Sequence, residues 1–329
     1  MTRRRVARAP VLVAPDKFKG TLAAAEVAEA VARGIRDGGR EAVELPVADG
    51  GEGTTDALLR ALGGERRTAV VSDPLGRPVE AAYGLLRDGS TAVVEMAQAS
   101  GLWRVAEDER DPFGADTRGT GELIAAAVAA GAGEVVVAAG GSATTDGGAG
   151  ALAVLDEAGV RPELVVVCDV RTPWEDAPRV FGPQKGADPA TIGRLERRLS
   201  RLARAAPRDP RGRPMTGAAG GLAGGLWAHR HARLVAGAAF VLDAVGFDSE
   251  MRAARFVVTG EGRLDEQTLA GKAVAEVAVR CRQGGVGCHA VVGEDALEPF
   301  MARLVDLTCV IEAGTPRRLR AAGRRLAGV

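Results

Sequence analysis

Aromatic side chains are scarce: seven Phe, three Trp and one Tyr make up 3% of 329 residues. Glycine is plentiful instead, at 45 residues, the balance expected where helices pack closely on sheets. Net charge is also missing. Lys and Arg number 43 and Asp and Glu number 43, so no global field favours nucleic acid or an anionic membrane. No apolar run approaches the roughly 20 residues that span a bilayer. The four cysteines, Cys168, Cys281, Cys288 and Cys309, fit no metal-ligand spacing and read as buried thiols, with a cytoplasmic setting as the default. His229, His231 and His289 form neither a triad pattern nor a zinc pattern. There is no G-x-x-x-x-G-K-[ST], which excludes a P-loop ATPase. No G-x-G-x-x-G opens the first β-α unit, which leaves a Rossmann dehydrogenase unsupported.

What is present is ordinary for a globular enzyme, with 46% hydrophobic and 26% charged residues. The length favours two domains over one. Arg3 to Arg8 form a basic tail, followed by an apolar run (Val11 to Val13) too short for a signal peptide. A pattern then recurs: a β-branched run, a Gly/Asp-rich turn, an Ala-rich amphipathic stretch. "VLVAPDKFKG", "AVELPVADGGEGT", "EVVVAAGGSATTDGGAG" and "RFVVTGEGRLDEQT" each lead into such a stretch. Alternation of this kind predicts a parallel sheet with helices on both faces. Arg66 to Glu95 reads instead as consecutive strands with tight turns, an antiparallel insert, and Ala205 to Pro214 reads as an exposed connector. The expected fold is α/β: a doubly wound, Rossmann-like domain from 1–65 and 240–329, with a second α/β domain, 66–239, inserted in it.

The Gly/Asp turns would all lie at the carboxyl ends of parallel strands, where open sheets bind ligands. "GGSATTDGGAG" (Gly140 to Gly150) follows the apolar run Val135 to Ala139 and precedes a helix, so it reads as a backbone cradle for an anion, with Gly140 and Gly141 lining it. A linker would have polar flanks. Charged residues cluster in the same turns: Asp16, Lys17 and Lys19; Asp49 and Glu52; Asp146; Asp169; Glu261, Arg263 and Asp265. Carboxylates and cations on glycine-lined loops suit a metal–phosphate site. For Glu52 and Asp265 a plain helix cap stands as an equal alternative, and for Asp56 it is the better one. The glycine run Gly217 to Gly225 precedes a helix but follows no strand.

Taken in order, "APDKFKGTLAAAEVA", "PVADGGEGT", "RGTGELI", "GGSATTDGGAG", "FGPQKGA", "GAAGGLAGGL" and "TGEGRLDEQTLAGK" resemble the bacterial glycerate kinase family, the type whose product is usually 2-phosphoglycerate. The resemblance runs from Val11 to about Ala313. It implies Mg²⁺-dependent transfer of the ATP γ-phosphoryl group to D-glycerate on two α/β domains. The family's site-lining motifs fall on Asp16, Lys19, Asp49, Glu52, Ser142, Asp146, Asp169, Gln184, Lys185, Glu261, Asp265 and Lys272. Glu261 and Asp265 are expected at the metal, and Lys19, Lys185 and Lys272 at the triphosphate. Asp49 and Asp169 are expected at the acceptor hydroxyl, and Arg263 or the loop amides at the glycerate carboxylate. Lys17, beside Lys19, is expected to matter little. The chain departs from the family after Asp169, where "DVRTPWEDAPRVFGPQKGA" carries Thr172 in place of the usual Asn and lacks the glycines that follow. A kinase for another small hydroxy acid, or a non-catalytic protein that keeps the fold, are the alternatives. The expected partners are small molecules, not nucleic acid or membrane, with a homo-oligomer left open.

Overall fold

The computed structural model describes residues 9–298, 300–301 and 306–329; the basic tail Arg3 to Arg8 lies outside them. The chain forms two compact units. One is built from the segments ending at Asp49 and beginning at Val241, the other from Gly50–Phe240.

The chain enters the first unit with β1 (Val11–Pro15), α1 (Ala24–Asp37) and β2 (Ala42–Glu44). In α1, Glu26 accepts a hydrogen bond from the Ala23 amide at 2.8 Å, satisfying a donor that the first helical turn leaves orphaned. Its buried stripe, Val27, Ala28, Val31, Ala32 and Ile35, recurs at three- and four-residue spacing and turns one face to the sheet.

The second unit follows. It runs through α2 (Thr54–Leu62), β3 (Gly64–Ser72), β4 (Pro78–Leu86), β5 (Thr91–Glu95), α3 (Arg118–Ala129), β6 (Glu134–Ala138), α4 (Ala149–Glu157), β7 (Glu163–Cys168), α5 (Pro189–Ala205), α6 (Leu222–Arg230) and β8 (Arg233–Ala236). These strands form one sheet in the order β3-β4-β5-β6-β7-β8. The first two pairings are antiparallel and the last three parallel. The β3–β4 hairpin turns on Asp73, whose carboxylate accepts from the amides of Leu75 and Arg77 at 2.8 and 2.9 Å. The antiparallel segment expected at 66–95 is therefore one half of a mixed sheet. The parallel strands are apolar throughout (Val135 to Val137, Leu164 to Val167) because both faces are covered.

The chain returns to the first unit with β9 (Phe256–Gly260), the two-residue β10 (Arg263–Leu264), α7 (Ala273–Gly284), β11 (Gly287–Val292), the two-residue β12 (Glu294–Asp295), β13 (Leu307–Glu312) and α8 (Pro316–Leu326). Its main sheet has the order β13-β11-β9-β1-β2 and is wholly parallel. Val11, Val13, Phe256 and Val258 pack with α1 and α8 residues in one cluster. Leu12 and Val257, which point to the opposite face by the two-residue period of a strand, are equally buried, and α7 packs on β9 and β11. The doubly wound architecture is thus present in full.

The first boundary falls between Asp49 and Gly50, ahead of the expected 65. The reason is α2, which packs on β4, β5 and β3 and so belongs with the inserted sheet although it follows β2 in the chain. Among the described residues, no helix is long and apolar enough to cross a membrane. Cys168, Cys281 and Cys288 are buried free thiols and Cys309 is half-buried.

Candidate active site

In the first unit, β1 and β9 lie side by side in register and end at Pro15 and Gly260. The chain after β2 continues along β1, with the Leu45 amide donating to the Val13 carbonyl and the Val47 amide to that of Pro15. These three exits deliver Asp16, Asp49 and Glu261, each less than a tenth exposed. Burial, reinforced by the charge of Asp49, pushes the Asp16 carboxyl up to about 7. Burial also pushes Glu261 up to about 7, against the opposing Thr268 hydrogen bond and Lys272 charge, with Asp49 and Asp265 adding to the rise. The Thr268 hydroxyl donates to Glu261 Oε1 at 2.6 Å. Buried acids that repel one another near neutral pH hold either a proton or a cation.

The cation already there is Lys17. Its Nζ stands 3.9 Å from Asp16 Oδ1 and 4.0 Å from Asp49 Oδ1. Lys19, favoured from the sequence, is exposed on the turn closed by the Phe18–Leu22 bridge, with no ion-pair partner among the described residues. The turn sends consecutive side chains in different directions, and the spacing alone does not say which one faces the acids. The two lysines are separable by kinetics. Lys17→Met removes a charge that holds Asp16 down, so the acid limb of the pH–rate profile should move up by about one pH unit. Lys19→Met should leave that limb in place. A profile unmoved by Lys17→Met detaches Lys17 from the reacting groups.

In the second unit the glycine loop lies beyond β6. Gly141 adopts φ +73°, a left-handed conformation that a Cβ disfavours. A Cβ on Gly140 would stand 3.1 Å from Asp169 Oδ2, so the carboxylate that ends β7 lies against the start of the loop. Lys185 is 2% exposed. Its Nζ donates to Ser142 Oγ at 2.9 Å and to the Thr144 carbonyl at 2.6 Å. Burial presses its ammonium down to about 7, opposed by the charges of Asp146 and Asp169. The loop is also packed from behind. The Gly147 amide donates to the Gly220 carbonyl at 3.1 Å, and a Cβ on Gly220 would come within 2.0 Å of the Thr144 carbonyl oxygen. Gly220, Gly221 and Gly225 thus allow close backbone approach to this loop, while Gly217 lies against Pro173 and Gly224 against Trp174 and Thr216.

The hydroxyls of Thr144 and Thr145 are buried without a hydrogen-bond partner among the described residues. Thr145→Val should leave activity unchanged and gain up to about 1 kcal/mol, since an orphaned buried hydroxyl is removed. Gly141→Val should raise KM, because the branched side chain strains a positive φ and its Cβ would stand 3.2 Å from Glu52 Oε1. The reverse order of these two effects would return the loop to a packing role.

The sequence model of the glycerate kinase family matches residues 11–161 and 154–314. The glycerate kinase of Bacillus subtilis (strain 168) is 41% identical over 325 residues, covering 86% of this chain and 84% of that protein. The glycerate 2-kinase of Escherichia coli (strain K12) is 38% identical, covering 87% and 86%. The chain belongs to the glycerate kinase family. Membership makes it an enzyme of the kinase class. A crystal structure from Salmonella typhimurium LT2 that carries the provisional name glycerate kinase 2 superposes with a TM-score of 0.83 at 33% identity, covering 98% of both chains.

Several family-motif residues make contacts within the fold. Asp146 is 1% exposed, and its carboxylate is spent inside the fold. It accepts from Thr117 N and Oγ1 at 3.0 and 2.7 Å, and from the amides of Gly148 and Gly150 at 3.0 Å each. It ties the loop and the start of α4 to the "RGTGELI" segment. Arg263 is also engaged: Nη1 donates to Glu294 Oε2 at 3.0 Å, and Nε lies 3.6 Å from Asp265 Oδ2. It joins β10 to β12 and shares Asp265, which is about a third exposed. Gln184 is exposed, unlike its neighbour Lys185. Lys272 stands at the start of α7, near enough to Glu261 to lower its pKa. Glu52 does not cap α2. That role falls to Glu95, whose Oε1 accepts from the amides of Gly53 and Thr55 at 3.0 and 2.8 Å. Glu95 escaped sequence reasoning, although a lone charge ending the buried strand "TAVVE" was the available signal.

Proposed function

We propose that this chain transfers the γ-phosphoryl group of ATP to the 2-hydroxyl of D-glycerate with the help of Mg²⁺. The observation that carries this reading is the pair of buried carboxylates, Asp16 and Glu261, both raised to about 7, in a chain whose relatives bear the names glycerate kinase and glycerate 2-kinase. Among the described residues, no group of three or more His, Cys, Asp or Glu is arranged to hold a metal alone. Mg²⁺ keeps waters and takes one or two carboxylates plus phosphate oxygens, and buried acids short of counter-charge fit that demand. Glu261 would hold the ion with Asp265, directly or through water; bound there it would neutralise phosphate charge.

Phosphoryl transfer asks the protein chiefly for positioning and electrostatics. The glycerate hydroxyl oxygen bonds to the γ-phosphorus as the bond to the ADP oxygen breaks, and the hydroxyl proton passes to a carboxylate. Asp49 of the first unit, or Asp169 of the second, is suited to orient that hydroxyl. Asp16, held near neutral pH, suits a general base. Lys19 and Lys272 offer charge to phosphate oxygens. The Gly140–Ser142 backbone, braced by Lys185, offers amides to an anion.

The test is ADP release measured over a panel of small hydroxy acids with ATP, with and without Mg²⁺, followed by phosphorus NMR of the product. Glycerate should be preferred and the ester should be secondary. A primary ester would overturn the 2-position, and preference for another acid would overturn the substrate.

A further inference from the structure

We infer that Trp103 is a platform for the purine base of the nucleotide, with Gln98 and Glu52 reading the edge of that base. The inference rests on ATP being the phosphoryl donor, as proposed above. Trp103 is 58% exposed, a costly place for the largest apolar side chain, yet it is held still. Its indole N–H donates to the Ala97 carbonyl at 2.9 Å, and the Arg104 guanidinium lies 4.3 Å from the ring centroid. Arg104 is itself pinned, Nε donating to the Gln98 carbonyl at 2.8 Å and Nη2 to the Glu80 carbonyl at 2.7 Å. A fixed, half-exposed indole has already lost the freedom that stacking would otherwise cost it.

Trp103 borders a cavity of about 290 Å³ together with Gln98, Glu52, Glu95 and the Asp56–Arg66 ion pair. That volume lies near the roughly 300 Å³ at which small-molecule pockets begin, and it far exceeds what a three-carbon acid fills. The polar groups sort themselves. Glu95 is committed to the amides of α2 and Asp56 to Arg66. The Glu52 carboxylate and the Gln98 carboxamide have no side-chain partner among the described residues. A carboxylate accepts only, whereas a carboxamide both donates and accepts. Adenine presents an amine donor beside a ring-nitrogen acceptor, which matches this pair. Guanine presents an N–H donor beside a carbonyl acceptor and would satisfy the same pair, so the pair reads a purine edge.

The platform is fastened to the glycine loop. The Leu102 amide donates to the Gly141 carbonyl at 2.9 Å, the Ala143 amide to the Ser100 carbonyl at 3.0 Å, and Gly101 bridges Ser142. The base-stacking surface and the anion-binding amides are thus held in one backbone frame of the second unit.

The experiment compares Trp103→Ala, Trp103→Phe and Gln98→Ala with the unmodified chain. Trp103→Ala should raise the KM for ATP about tenfold while kcat stays within about twofold; Trp103→Phe keeps a π face and should stay within about threefold. Gln98→Ala should raise the KM for ATP about threefold with kcat little changed. Tryptophan emission of the unmodified chain should fall on titration with AMP, and Trp103→Phe should abolish that response. An unchanged KM in Trp103→Ala, or an AMP response that survives in Trp103→Phe, overturns the inference. If the chain phosphorylates glycerate normally in those variants, the platform alone has failed. If it transfers no phosphoryl group to any acid, the donor reading has failed, and the AMP titration still decides the platform.

Discussion

Glu261→Gln should lower turnover about a thousandfold and, in ligand-free protein at pH 8, raise the melting temperature. Both effects come from one charge. The folded carboxyl is raised from 4.5 to about 7, so between those values the folded chain holds a proton that the unfolded chain has released. Below about pH 4.5 the group is neutral in both states and costs nothing. As pH rises through the window, stability is lost. Above 7 the full penalty stands, on the order of 3 kcal/mol. Gln keeps an oxygen for the Thr268 hydroxyl and carries no charge, so it should relieve the penalty at pH 8 and change little at pH 4. The same lost charge should remove Mg²⁺ support for the transition state, a loss on the order of 10³ by analogy with other single electrostatic contacts. Melting curves at both pH values, with and without Mg²⁺, together with turnover titrated with Mg²⁺, decide the matter. A variant with full turnover and an unchanged Mg²⁺ requirement removes Glu261 from the metal site.

Gly220→Ala should cost about 3 kcal/mol and a melting shift of roughly 6–12 °C, and should cut activity with it. One methyl group is added, but at φ +63° and within 2.0 Å of the Thr144 carbonyl oxygen. Backbone cannot rotate away as a side chain can, so the glycine loop itself must move. Thr144 O accepts from Lys185, and the shift would also pull at that buried ammonium. Gly212→Ala is the control, because it has a similar φ of +67° but nothing within 4 Å of its Cβ position. It should show the conformational strain alone, about 1 kcal/mol. Equal losses in the two variants would mean that the contact between the glycine runs does not matter.

The alternation of strand, loop and helix was legible because parallel strands buried on both faces are continuous apolar runs and their loops concentrate glycine. Allegiance of elements to sheets was not. β2 and α2 are consecutive and follow the same β-α grammar, yet α2 packs on β4 and β5, a choice made by residues far along the chain. The functional loops were legible as loops, but the work of single residues within them was not. An Asp among glycines reads alike whether it meets a ligand or, as Asp146 does, ties two segments together. Arg263 could not be seen to face Glu294 because the β10–β12 pairing leaves no trace in two-residue strands. Lys17 and Lys19 differ only in which way one turn sends them.

The path of the chain through the two units has a consequence for synthesis. Thr259 hydrogen-bonds Ala14 across a separation of 245 residues, and β1 cannot acquire its β9 neighbour until that residue has emerged. At 5–20 residues per second the wait is roughly 12–50 s. During it the apolar segment "VLVAP" is paired with β2 at most. The sheet of the second unit, by contrast, has every strand by Ala236. A ribosome-bound chain therefore carries a completed insert on an unfinished host, and the exposed first strand is the stretch on which holding chaperones would act.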